Sequence, residues 1–270
     1  MESAARHRAL AILTRHLTAW RISRAGRDAD ALLRLLDAVA DPQLRLHRFA
    51  EHLADRTAEA AAAAIARFHD LSVAGDRRAL RVCLGLLDRK RLARVLAAET
   101  LDAMAAAAQA SGHPSAGLFA EDGRRPDTEE DEVAPRPTEP VGYRISQARR
   151  PVASLVERLL FDPDPRVVQT VLGNPRLTEA EVLKLAASRR AASEALEAIA
   201  QDDRWIVRYP VKIALTSNPA TPARVIVALL PHLMRQDLKD LALRASREDV
   251  RARTAAILAG ANGATGETRA

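Results

Sequence analysis

Apolar residues recur at intervals of three and four along most of the chain, the spacing of helices with one buried face. In the first 110 residues this pattern predicts an opening helix to Trp20 and others over Asp30–Ala40, Pro42–Leu53, Thr57–His69, Arg77–Leu87 and Leu92–Ala110. Gly26, Asp41-Pro42, Gly75-Asp76 and Ser111-Gly-His-Pro114 punctuate them. Beyond position 143 the pattern resumes, with Val182, Leu183, Leu185 and Ala186 and later Val225, Ile226, Leu229 and Leu230 forming buried stripes. The expected fold class is all-α.

Between these halves the pattern lapses. Residues 111–142 hold Pro114, Pro126, Pro135, Pro137 and Pro140, the acidic run Glu129–Glu132, and few large apolar side chains. Such a segment buries too little surface to offset the entropy of ordering it, so it reads as a flexible acidic linker. The expected organisation is a helical domain over 1–110, this linker over 111–142, a second helical domain over 143–262, and a disordered tail over 263–270.

The second domain is periodic. Leu172, Leu215 and Leu258 are 43 residues apart, and Asn174, Asn218 and Asn262 are 44 apart. Proline follows the first two asparagines. Ahead of them stand Asp162-Pro-Asp-Pro-Arg-Val167, Asp203-Arg-Trp-Ile-Val-Arg208 and Asp249-Val-Arg251. Asn-Pro ends one helix and a cap two or three residues later starts the next. Thr178 with Glu181 has the spacing of a capping box, and Leu177 with Val182 that of a hydrophobic staple. Thr221 is the expected cap in the second unit, with Pro222 at the first helical position, where a missing N–H costs nothing.

These residues carry a resemblance. Leu155–Val167, with its Asp-Pro turn followed by Val, resembles the turn of a HEAT repeat, and the Val207-Arg208 and Val250-Arg251 units are similar. A period of about 43 lies within the range of two-helix HEAT and armadillo units. Asp41-Pro-Gln-Leu-Arg45 is a fainter match, Val168 stands where that family has Arg, and Asn218-Pro-Ala-Thr-Pro222 is also similar to the leucine-rich-repeat-variant units of bacterial helical-repeat proteins. The resemblance implies an α-solenoid acting as a scaffold, with no catalytic residues to carry over.

Composition sharpens this. The net charge of +6 is almost wholly arginine, because lysine occurs only at 90, 184, 212 and 239. Residues 120–140 carry eight acids against three arginines, net −5, which leaves +11 on the rest. Two readings stay open: the arginine and alanine bias of a GC-rich genome, or the footprint of an acidic partner. The single cysteine, Cys83, permits no intrachain disulfide and no thiolate zinc site and suits a reducing cytoplasm. It lies in an apolar run and reads as core. No apolar run approaches the roughly 20 residues that span a bilayer.

Candidate chemistry is sparse. None of the seven histidines sits in a metal-ligand pattern: His47 and His52 are five apart, on different helix faces. There is no phosphate-binding glycine loop and no nucleophile elbow, so neither a cofactor nor a catalytic residue is expected. Asp202 and Asp203 read as helix caps. The one cluster of interest is Arg204, Trp205, Arg208, Tyr209 and Lys212, with Arg204, Arg208 and Lys212 spaced for one helical face. Arg247 and Arg251 repeat the first two arginines 43 residues on. In stacked repeats equivalent positions align into a ridge. Basic charge beside aromatics suits a phosphate backbone or an acidic peptide. The alternative is structural, with the arginines pairing to turns of neighbouring units, Trp205 in the core and Pro210 bending the helix. The functional expectation is a non-enzymatic scaffold for a protein or peptide, with nucleic-acid binding as the alternative. A HEAT-like enzyme acting on damaged DNA bases would need an aromatic-lined cleft, which this chain's few aromatics ill provide.

Overall fold

The computed structural model describes residues 29–39, 42–87, 89–119 and 137–266. The expected opening helix to Trp20, most of the acidic linker and the last four residues lie outside them. The described residues are helical throughout, without strands, and no helix among them is long and apolar enough to cross a membrane. The chain divides into two compact units between Ala116 and Gly117.

The first unit contains α1 (29–38), α2 (Pro42–Ala54), α3 (Ala58–Val73), α4 (Arg77–Gly85), α5 (Arg89–Leu92) and α6 (Ala98–Ala110). Thr57 caps α3 by accepting from the Ala60 N–H, and Asp76 caps α4 by accepting from Arg78 and Ala79. Both satisfy amide groups that a helix start leaves unpaired. Helix α3 packs against α4 and α6. The core includes Phe49, Leu53, Ile65, Phe68, Cys83, Leu101 and Met104, each 2% exposed or less. Phe49 and Phe68 meet with ring centroids 5.9 Å apart. Full burial of side chains this size stabilises by about 1.5–3 kcal/mol each. One expectation fails here: Leu92–Ala110 is not one helix. α5 ends at Leu92 with Arg89, Lys90 and Arg91 in its last turn, and α6 begins after Ala97 with Glu99 in its first. Cations at a helix end and an anion at a helix start both favour the break.

The expected linker is ordered at its near end. Pro114–Phe119 forms a 3-10 helix, with Leu118 1% and Phe119 6% exposed. Those two apolar side chains give the segment the burial that its prolines argued against. A Cβ at Gly117 would lie 2.0 Å from Arg253 Nη1, so a larger residue there requires the Arg253 side chain to move.

The second unit continues through α7 (Val141–Ala148), α8 (Ala153–Leu159), α9 (Pro165–Leu172), α10 (Glu179–Ala187), α11 (Ser193–Gln201), α12 (Asp203–Ile206), α13 (Tyr209–Ser217), α14 (Ala223–Leu229), α15 (Arg235–Arg244) and α16 (Glu248–Gly266). Helix α9 packs against α7 and α11, α10 against α13, and α16 against α14 and α15. The capping box of Thr178 and Glu181 forms, and Leu177 and Val182 are buried beside it. Thr221 is no cap: α14 starts after Pro222, and the Thr221 hydroxyl is buried without a hydrogen-bond partner. α16 runs past the expected domain end at 262, sustained by its alanines.

Two asparagines do the same work 44 residues apart. Asn174 Nδ2 donates to the carbonyls of Ala148 (2.7 Å) and Arg150 (2.9 Å), and its Oδ1 accepts from the Arg176 N–H (2.9 Å). Asn218 Nδ2 donates to the carbonyls of Ala186 (2.7 Å) and Ser188 (2.8 Å), and its Oδ1 accepts from Ala220 (2.9 Å). Each ties the end of its own helix to the carbonyl-rich end of an earlier one, where orphan acceptors need donors.

Candidate functional sites

The cluster singled out in the sequence does not form one helical face. Val207 closes α12, and Arg208, with extended backbone, precedes α13. Pro210 falls in the first turn of α13, where its missing N–H costs nothing, so it opens a helix and bends none. Arg204, Arg208 and Lys212 thus belong to two helices and the turn between them.

Most of these side chains are committed to framework contacts. Trp205 is 2% exposed, and its Nε1 donates to the Leu172 carbonyl at 3.1 Å. The Arg204 guanidinium lies 4.3 Å from the Trp205 ring centroid and donates to the carbonyls of Asn174 (3.2 Å) and Leu177 (3.0 Å). Arg247 donates to the Thr221 carbonyl at 2.8 Å and pairs with Asp249 at 2.7 Å. Leu177 and Thr221 each stand three residues after a clamp asparagine, so Arg204 and Arg247 hold equivalent turns. Arg251 donates to the Ala245 carbonyl at 2.6 Å. Tyr209 donates its hydroxyl proton to Asp237 and accepts from the Met234 N–H at 2.8 Å; burial, then Asp237, raises its pKa. Arg208 remains largely exposed and pairs with Glu179 at 3.5 Å. Lys212 is half-buried in α13.

A second cluster, absent from the sequence reading, lies in the first unit. His69 and Asp70 sit in the last turns of α3. After α6 the chain reverses through Gly112, whose φ of +65° favours glycine, and this brings His113 back to them. Asp70 Oδ1 stands 3.1 Å from His113 Nε2 and 3.7 Å from His69 Nδ1. The two imidazoles meet edge to face with centroids 5.4 Å apart. His113 Nδ1 is 2.9 Å from the hydroxyl of the buried Ser115. His69 is 5% exposed, yet neither of its ring nitrogens has a hydrogen-bond partner. Leaving a buried polar group unpaired costs about 1–3 kcal/mol. Burial first, and His113 second, lower the His69 pKa below 6.5, so the ring is neutral near pH 7. Ligand spacing within one helix cannot reveal this cluster, because its histidines are 44 residues apart. The one signal was the Ser-Gly-His-Pro turn, which punctuates a helix and also carries a histidine.

Cys83 behaves as core: it is fully buried, and burial pushes its thiol up to about 12. Asp202 caps α12 by accepting from the Arg204 N–H at 2.9 Å. No family model, no curated protein and no solved structure matches this chain.

Proposed function

We propose that the second unit is a short stack of HEAT-like repeats that serves as a non-enzymatic scaffold for a protein or peptide partner. The observation that carries this reading is the clamp of Asn174 and Asn218: the same side chain makes the same three bonds 44 residues apart. A repeated polar residue spent on holding helices together is the mark of a framework. Arg204 and Arg247, gripping the equivalent turns, support it further.

With these arginines engaged, the basic ridge is a weaker candidate for binding than the apolar side chains left in solvent. Phe161 (40% exposed), Val207 (43%) and Met234 (63%) all stand at turns between helices. Apolar anchors of this kind favour a protein or peptide over a phosphate backbone. Affinity capture from native extract, with and without nuclease, tests the reading. Retention should survive nuclease and fall when Phe161, Val207 and Met234 are changed together to Ser, with the melting temperature unchanged. Loss of every retained protein on nuclease treatment, with duplex binding that weakens steeply in salt, would establish nucleic-acid binding instead.

A further inference from the structure

We propose that His69, Asp70 and His113 bind a divalent first-row transition ion, zinc fitting best, at the surface of the first unit. The three donors come from two separate segments, and their ligand atoms all lie within 4.8 Å of one another. Zinc bonds of about 2.0–2.2 Å at tetrahedral angles set neighbouring ligand atoms about 3.3–3.5 Å apart. The distances from Asp70 Oδ1, 3.1 Å to His113 Nε2 and 3.7 Å to His69 Nδ1, bracket that value. The remaining edge, at most 4.8 Å, would shorten on binding by side-chain rotation.

The unpartnered imidazole is what distinguishes this cluster from an ordinary histidine–aspartate pair. A hydrogen bond accounts for His113 and Asp70 alone. It leaves His69, buried and 3.7 Å from the same carboxylate, without a hydrogen-bond partner on either nitrogen. A buried unpaired polar group in a folded protein calls for a water or an ion. A cation among the three donors gives His69 that partner. The turn also fixes the His113 ring: its Nδ1 accepts from the Ser115 N–H at 3.2 Å and lies 2.9 Å from the Ser115 hydroxyl, which leaves Nε2 facing Asp70.

The donor set selects the ion. Two imidazoles and one carboxylate suit zinc, cobalt or nickel and disfavour magnesium and calcium, which take oxygen ligands. Side-chain exposure is 54% at Asp70 and 26% at His113, so solvent reaches the cluster and completes the coordination. Three protein ligands and an open position are the ligand count of exchangeable zinc sites rather than closed structural ones. Bound there, the ion ties the end of α3 to the turn after α6.

Calorimetric titration of the full-length, untagged chain with zinc, after treatment with chelator, tests the proposal. Wild type should take up one equivalent, and His113→Ala and Asp70→Asn should each bind at least about ten-fold more weakly. Magnesium in excess should not compete. Circular dichroism checks that both variants fold, His113 being only 26% exposed. His69→Gln, checked by circular dichroism, should behave alike. Cobalt should give the absorption of a tetrahedral site in wild type and lose it in the variants. No binding by wild type overturns the proposal. An equivalent bound equally well by His113→Ala and Asp70→Asn assigns the ion to other histidines and overturns it too.

Discussion

Changing Asn218 to Ala should destabilise the second unit by about 3 kcal/mol. Asn218 is 3% exposed and makes three hydrogen bonds, to Ala186, Ser188 and Ala220. A buried hydrogen bond contributes about 1 kcal/mol net, so losing three gives that total. Ser188 O keeps a second donor, the Ala191 N–H at 3.2 Å, which limits the loss at one of the three. Asn218→Asp isolates the donor side. Its carboxylate can still accept from Ala220, but it directs negative charge at two carbonyls 2.7 and 2.8 Å away. Asp should therefore cost more than Ala despite its closer shape. Urea unfolding followed by Trp205 fluorescence, in a Trp20→Phe background, reads this unit directly, because the Trp205 ring is buried against the Leu172 carbonyl. Asn174→Ala, which removes the same set of bonds, should give a similar loss. Losses below about 1 kcal/mol, or an Asp variant at least as stable as the Ala one, would refute the clamp.

Three further outcomes follow from buried charge and capping. Glu197 pairs with Arg224 at 2.6 Å, both side chains largely buried, so Glu197→Gln should cost about 1.5–3 kcal/mol in urea, the worth of a hydrogen bond to a charged group; a loss under about 0.5 kcal/mol would refute the pair's contribution. The Arg166 guanidinium holds the Asp164 carboxyl below its ordinary 3.8, as Arg78 does Asp76 and Arg247 does Asp249. The folded chain then binds fewer protons than the unfolded one, so this stability is present above pH 3.8 and is lost as pH falls through the lower folded value. Asp164→Asn should flatten the acid limb of the urea midpoint against pH, and an unaltered limb would refute the pairing. Arg204→Ser and Arg247→Ser should each lower stability by about 1–2 kcal/mol, the worth of their carbonyl bonds; unchanged melting would return both arginines to solvent.

Most helix caps were legible in the sequence, Thr221 excepted, and contacts across long separations were not. The capping box of Thr178 and Glu181, the start of α3 after Thr57 and the cap at Asp202 were all readable because a cap is decided within four residues. The break at Val207 and Arg208 was not. Arg204, Arg208 and Lys212 keep helical spacing across it, and spacing alone does not record where a helix stops. Pro210 carried the clue, since proline is as much at home in a first turn as it is disruptive in a middle one. The pairing of His69 with His113 depends on α3 packing against α6 and on the reversal at Gly112. No window of sequence contains both.

Recurrence itself needs a stricter reading when a binding surface is sought. A residue repeated every 43 or 44 positions meets a demand common to every unit, and what the units share here is a turn with unpaired carbonyls. Arg204 and Arg247 answer that demand by donating to Leu177 and Thr221, as the two asparagines do by donating to earlier helix ends. Arginine suits the task because its donors lie in a rigid fork that spans neighbouring acceptors. Arg204 and Arg247 thus belong to the framework, and the exposed apolar side chains Phe161, Val207 and Met234 are where substitution should separate binding from folding.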